Sequence, residues 1–359
     1  MKDIAFVLDD PHMISNIDKS GMLDIIAGFP EQIKEAVMIA EESDIPDFIK
    51  IDNIVVGGMG GSAISGDIVQ SLFRDRIEVP IHVNREYDLP RWTNKNTLTV
   101  FLSYSGNTEE TLSSFKIACQ KRCKIIGVSS GGKLEELCVK RGIKHIRIPS
   151  GFQPRAAVAY LLFPLILILK KNGLLKKTNI ESDIEEAVSV ANDLMNTNKK
   201  TVEEKNNISK QIARKIFNTI PQIYGWGFYI PIARRWRTQF NENSKIVARD
   251  DVVPECNHND IVGWSSNLEM SKQFSCILFR DRNDESIQMS TRLDFMKTLF
   301  EDTAANTINI YPRGKSRLAK MIYTMYLGDF VTCYLAVLRK IDPTPVDIIR
   351  ELKEQLAKK

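Results

Sequence analysis

Residues 53–67, NIVVGGMGGSAISGD, set five glycines and two serines directly behind a short β-branched run. The run reads as a buried strand, and SAISGDIVQSLFRD (62–75) reads as the helix that follows it. Glycine at such a strand-to-helix turn permits positive φ and lets a ligand approach the backbone. The N–H groups of the helix start favour an anion, and ligands bind at the carboxyl edge of an open α/β sheet. A phosphate is therefore the natural guest, with Gly60, Gly61 and Ser62 as its candidate holders. The string also contains Gly58-x-Gly60-x-x-Ala63, a partial dinucleotide fingerprint, and Glu86 ends the next strand where a ribose-binding acid would fall. It has no lysine of the kind a nucleoside triphosphate loop requires.

The same rhythm runs on from this stretch. IHVNRE (81–86), LTVFLSYSG (98–106), KIIGVSS (124–130) and HIRIPSG (145–151) are further short runs, separated by helical stretches such as NTEETLSSFKIACQKR and KLEELCVKRG. This alternation predicts a parallel sheet covered by helices on both faces. Ahead of it, Leu23–Glu42 reads as one amphipathic helix. Behind it comes a charged helical connector (180–206), with asparagine and lysine clusters marking linker ground near 196–207. The alternation then resumes in QIYGWG (222–227), SKIVARD (244–250), SCILFRDR (275–282) and NTINIYPR (306–313), as in a divergent second copy. Helices are expected around 228–241, 290–301 and 315–339, and a proline turn leads to a last amphipathic helix.

The fold class expected is thus α/β, with two domains that are each a parallel sheet between helices. The boundaries read as an N-terminal helical segment (1–49), a first domain with the phosphate loops (50–170), a helical linker (171–206), a second domain (207–340) and a C-terminal helix (341–359).

Composition narrows the function classes. The 359 residues are 43% hydrophobic and 26% charged, and a net charge of +4 over that length leaves no nucleic-acid footprint. The longest apolar run, Ala156–Lys171, holds 14 residues before its lysines. A membrane span needs about 20, so a buried helix is expected and no membrane partner. Acids interrupt MKDIAFVLDD where an export signal would be apolar. The six cysteines have neither disulfide-framework nor zinc-site spacing, so reduced thiols in a cytoplasmic protein are expected.

A second loop, LSYSGNTEETL (102–112), also follows a strand and opens a helix. It supplies Ser103, Ser105 and Thr108 as further phosphate ligands, beside Asn107. Two such loops on neighbouring strands suit a small phosphate monoester better than a dinucleotide. The plain alternative is a turn with a helix cap at Ser105–Thr108.

GGMGGSAISGD together with SYSGNTEETL resembles the sugar isomerase (SIS) domain, a phosphosugar-binding α/β unit. PSGFQPRAAVAYLL, QFNENSK, PECNHNDIVGW and YLGDFVTCYLAVLRKIDPTPVDIIRELK extend the resemblance to the bifunctional phosphoglucose/phosphomannose isomerases, from residue 50 to the C-terminus. The resemblance implies two SIS-type domains and interconversion of glucose 6-phosphate or mannose 6-phosphate with fructose 6-phosphate through an enediol(ate). That chemistry needs a carboxylate base, a cation near the developing oxyanion and help in opening the sugar ring. No cofactor is needed, and the sequence has no clear metal-ligand cluster.

The residues suited to these tasks carry ordinary readings too. Glu242, between Asn241 and Asn243, is ionised at neutral pH as a base must be, although a solvated loop glutamate would look the same. The two amides suit holding a sugar hydroxyl or fixing the carboxylate. By the resemblance Glu242 is the base, and His258 assists ring opening from the neighbouring subunit of a homodimer. His12, His82 and His145 match no motif and read as structural. Arg155 offers a directional cation for the enediolate, or simply starts a buried helix. Lys353 corresponds to a ring-opening lysine of the family on the last helix, although lysines there also read as a solvated face. Thr344 stands near in DPTPV without an assigned role.

Other classes make different demands. A phosphosugar-sensing regulator would keep both serine loops and need neither Glu242 nor His258. A dinucleotide-dependent oxidoreductase would leave SYSGNT unexplained. An amidotransferring sugar isomerase would need a glutaminase domain with an N-terminal cysteine, and this sequence opens MKDIAF.

Overall fold

The computed structural model describes residues 6–176 and 178–356. The chain forms two compact units. An N-terminal unit comprises Gly28–Ser189 with Lys315–Ala319, and a C-terminal unit comprises Met1–Ala27, Val190–Gly314 and Lys320–Lys359. Helices α1 (Pro11–Ile17) and α2 (Met22–Ala27) therefore belong to the C-terminal unit, and α3 (Phe29–Glu42) to the N-terminal one. The single helix expected over Leu23–Glu42 is two. Pro30 sits in the first turn of α3, where its missing N–H is harmless, whereas inside one continuous helix it would remove a hydrogen bond and clash with the carbonyl four residues back.

The N-terminal unit runs β1 (Asn53–Gly57), α4 (Gly60–Leu72), β2 (Ile81–Asn84), β3 (Thr97–Leu102), α5 (Glu109–Gln120), β4 (Lys124–Ser129), α6 (Gly132–Arg141), β5 (Lys144–Arg147) and α7 (Val158–Lys171). Its strands lie in the order β2-β1-β3-β4-β5, all parallel, with Ile54 opposite Ile81 and Leu98. All six residues of β3 are buried, because helices cover both faces of a parallel sheet. The apolar run at Ala156–Lys171 is α7, buried without a break from Val158 to Leu169. Each large side chain in it contributes roughly 1.5–3 kcal/mol by leaving water.

Helix α8 (Ile180–Asn198) carries the chain into the C-terminal unit. There follow α9 (Ile208–Ile216), β6 (Ile220–Trp226), α10 (Ile230–Glu242), β7 (Arg249–Val253), α11 (Asp260–Gly263), α12 (Leu268–Ser271), β8 (Phe274–Phe279), α13 (Ile287–Thr303), β9 (Asn306–Ile310), α14 (Arg317–Leu338) and α15 (Asp347–Leu356). The sheet order is β7-β6-β8-β9, again all parallel. Helix α14 is long and apolar enough for a membrane span, yet its apolar window is wholly buried in the protein.

The linker expected at 196–207 is packed instead. Asn198 and Asn207 are fully buried. The Asn198 carboxamide oxygen accepts from Ser209 N at 3.0 Å, and the Asn207 amide donates to Asn198 O at 3.0 Å. Asparagines that look like loop composition here latch the end of α8 to the start of α9.

The second sheet copies the first at its decisive turn. A Cβ on Gly58 would lie 3.2 Å from Ser62 Cβ, and one on Gly225 would lie 2.9 Å from Tyr229 O. Two residues on from each, Gly60 and Gly227 have φ of +50° and +52°. One strand over, Ser103 N donates to Val128 O and Arg280 N to Ile310 O, in matching steps past β3 and β8.

Candidate active site

In the N-terminal unit the strand order reverses between β1 and β3, and both glycine-serine loops leave the sheet there. Gly60 and Gly61 open α4, so their N–H groups have no intrahelical acceptor. Ser62 is buried in the same turn. A side chain at Gly58 would strike Leu102 O at 2.9 Å, which is why the two loops can approach so closely. A Cβ on Gly61 would lie 3.1 Å from Pro154 O and 3.4 Å from Arg155 Cα. The turn carrying Arg155 therefore closes over the start of α4, and Arg155 itself is only 3% exposed. Tyr104 fixes that approach, its hydroxyl accepting from Phe152 N at 2.8 Å.

The second loop is not the plain capping turn that its composition allowed. Thr108 occupies the position before α5, but its side chain makes no cap to that helix. Its hydroxyl instead pairs with Ser103 Oγ at 2.9 Å. The first N–H groups of α5 thus stay available to an anion, as do those of α4. Ser105 is exposed at the loop tip, where Asn107 N donates to its hydroxyl at 3.3 Å. Gly60, Gly61, Ser62, Ser103, Ser105, Thr108 and Arg155 all belong to this one edge.

Gly106 is the residue this loop can least spare. Its φ is +68°, and a Cβ there would lie 1.7 Å from Gly131 O. Gly106→Ala is expected to cost more than about 4 kcal/mol, by strain at positive φ and displacement of the Gly131 backbone. Thermal unfolding and phosphate affinity should both report the loss, and an unchanged melting temperature would contradict this packing.

The matching crevice of the second sheet, between β6 and β8, is filled. Tyr229 takes the place of Ser62 in the copied turn and donates to Asp281 Oδ2 at 2.7 Å. The Lys320 ammonium meets Asp281 Oδ2 at 2.9 Å and Asp284 Oδ2 at 2.6 Å. Burial would raise the Asp281 carboxyl, but the Tyr229 and Lys320 donors outweigh it and hold it below the usual range. Glu285 accepts from Arg280 Nε at 2.9 Å and from Asp281 N at 2.8 Å. Internal carboxylates answer the cations of this edge.

The remaining candidates lie in the C-terminal unit. Glu242 is the last residue of α10, partly buried rather than out on a loop. Lys245 Nζ donates to Glu242 O and to Pro343 O, each at 2.7 Å. This ties the DPTPV turn, with Thr344, to the end of α10, and α15 begins just beyond that turn. Each asparagine amide has a partner within the chain. Asn241 donates to Ile246 O at 2.8 Å, and Asn243 to Thr332 Oγ1 at 3.0 Å. Lys353 is exposed on α15, which buries none of its described residues.

His258 lies elsewhere. It is exposed and ends the Glu255–His258 turn that follows β7. Its neighbourhood is firmly anchored, since Asp260 accepts from Tyr224 OH at 2.6 Å and Trp264 Nε1 at 3.0 Å. Helix α10 runs back against the parallel strands, so Glu242 sits at the amino edge of the second sheet and His258 at its carboxyl edge. A helix of 13 residues spans about 20 Å. One chain's own Glu242 and His258 are therefore not neighbours.

Two of the other histidines make contacts within the fold. His145 Nε2 pairs with Ser129 Oγ at 2.7 Å, and its burial, partly offset by Glu135, lowers its pKa. His82 packs edge-on against Trp92.

Comparison with known proteins adds to this geometry. Residues 205–356 match the family described as the bacterial phospho-glucose isomerase C-terminal SIS domain. A bifunctional phosphoglucose/phosphomannose isomerase of Caldicellulosiruptor bescii is 41% identical, over 94% of this chain and 99% of that protein. One from Thermoplasma acidophilum is 36% identical, over 85% and 90% of the two chains. The C-terminal domain of a glucosamine-fructose-6-phosphate aminotransferase from Francisella tularensis shares the fold at a TM-score of 0.69. Its identity is 16%, with 90% of this chain and 98% of that one covered.

Proposed function

The chain belongs to the bifunctional phosphoglucose/phosphomannose isomerase family and is an isomerase, and on that footing we propose that it interconverts glucose 6-phosphate and mannose 6-phosphate with fructose 6-phosphate. The observation that carries the phosphosugar reading is the open cradle at the β1/β3 edge, set against the filled crevice at β6/β8. The phosphate rests on the N–H groups of Gly60 and Gly61 and on the hydroxyls of Ser62, Ser103, Ser105 and Thr108. Arg155 faces the charge that develops on the sugar oxygens.

Ring opening comes first. His258 and Lys353 move the proton between the anomeric hydroxyl and the ring oxygen, which frees the aldehyde. Glu242 then takes the C2 proton, and the electron pair forms the C1=C2 bond of an enediolate. O1 gains a proton, O2 loses one, and Glu242 returns its proton to C1 to give the ketose. The planar enediol has lost the C2 configuration. Glucose and mannose epimers therefore arise from one intermediate if the open chain rotates about C2–C3.

Because Glu242 and His258 occupy opposite edges of one sheet, we assign His258 to the site of a second copy. The working unit is then a homodimer with two composite sites. No cofactor takes part in this scheme, and we assign the enzyme to the cytoplasm, where cysteines without the spacing of a disulfide framework stay reduced.

The test is turnover of fructose 6-phosphate, with glucose 6-phosphate and mannose 6-phosphate measured separately. Both products are expected. Glucose 6-phosphate alone would end the dual reading, and phosphosugar binding without turnover would favour a sensor.

A further inference from the structure

Three residues of α14 at helical spacing, Gly328, Asp329 and Thr332, form one strip against α10. A Cβ on Gly328 would lie 2.3 Å from Trp236 Nε1, so glycine is what lets the two helices close. The Trp236 indole donates to Thr324 O at 2.8 Å. Asp329 accepts from Arg235 Nη2 at 2.9 Å and from Gln239 Nε2 at 2.8 Å. Thr332 accepts twice, its hydroxyl from Asn243 Nδ2 at 3.0 Å and its carbonyl from Ser244 Oγ at 2.6 Å. Arg235, Gln239, Asn243, Ser244, Asp329 and Thr332 are all buried.

Apolar packing would join two helices without taking charges out of water, and a buried ion pair is weak evidence for stability. What a buried polar strip adds is register. Its donors and acceptors match at one rotation and one axial position of α10, and any slip strands them unpaired. The contacts continue two residues past Glu242, through Asn243 to Ser244, so the strip holds the chain on both sides of the residue that bears the carboxylate.

We propose that the Gly328–Thr332 strip of α14 is the positioning element of the base, setting where the Glu242 carboxylate stands without touching substrate. The proposal rests on Glu242 being the base. Proton abstraction needs the carboxylate placed to within a fraction of an ångström, and a misplacement of about 1 Å costs around 100-fold.

The experiment takes Thr332→Val and Asn243→Ala, which remove opposite ends of one hydrogen bond, with Thr332→Ser as the conservative control and Glu242→Gln alongside. Each disrupting change is expected to lower kcat by about 10- to 100-fold with KM within about threefold, since the phosphate cradle is untouched. Thr332→Ser keeps the hydroxyl and should restore kcat to within about threefold of wild type. The double variant should be no slower than the worse single one, because one bond is lost in each case. If Thr332→Val does not fold, Asn243→Ala with its own kcat and KM carries the test.

Wild-type kcat in the folded variants, with Glu242→Gln inactive, would overturn the positioning role and leave the base intact. Losses that raise KM as much as they lower kcat would overturn it too. An active Glu242→Gln would instead remove the reading on which the proposal rests.

Discussion

Glu242→Gln is expected to lower kcat for both aldose phosphates by about 10²- to 10⁴-fold, the usual share of a positioned general base, while sugar-phosphate binding stays near wild type. Glutamine matches glutamate in shape, so the end of α10, the Lys245 bridge to Pro343 and the strip on α14 should all persist. What should disappear is the proposed acceptor of the C2 proton. The proposed phosphate cradle in the N-terminal unit is unchanged, so the loss should fall on kcat rather than KM. Exchange of the C2 hydrogen with solvent offers a second measure and should fall by the same factor. A variant that isomerises at the wild-type rate would transfer the base role elsewhere. One that binds but never exchanges, beside a wild type that does both, is the expected pair.

Some of this was legible in the chain before folding. The N-terminal sheet was, because β-branched runs such as Ile54–Val56 and Thr97–Leu102 alternate with helices, and glycines mark the turns. Both glycine-serine loops were placed at strand-to-helix turns from local spacing alone, since each needs only a strand end, small residues and a helix start. What sequence hid was long-range. Asn198 and Asn207 carry the composition of a linker, and only their buried partners reveal a latch. Asn243 looked suited to a sugar hydroxyl, yet its amide is spent on Thr332, 89 residues away.

The strand expected in SKIVARD begins only at Arg249. Ser244 is bonded to α14, and Lys245 stands at φ +51°, so the first residues of that run form the turn instead. Asp329 and Thr332 left no local signal. In sequence they are two polar residues within an apolar helix, and their meaning lies in what α10 presents to them.

The opposite placement of Glu242 and His258 leads to the second large effect, and it concerns the oligomer. If each site joins Glu242 of one copy to His258 of the other, His258→Asn should lose about 10²-fold in turnover. A symmetric dimer then contains two such sites, and every dimer of a single variant carries the same defect twice. Mixing behaves differently. In a dimer of Glu242→Gln with His258→Asn, one site holds both substitutions and the other holds none.

Complementation is accordingly the most direct measurement. The two variants, each nearly inactive, are unfolded and refolded together in equal amounts, or co-expressed, and assayed for fructose 6-phosphate turnover. Random pairing makes half of the dimers mixed with one intact site each, so the mixture should recover about a quarter of wild-type activity. Mixed dimers, shown to form, that stay as inactive as their parents would contradict the composite site and return His258 to its own chain.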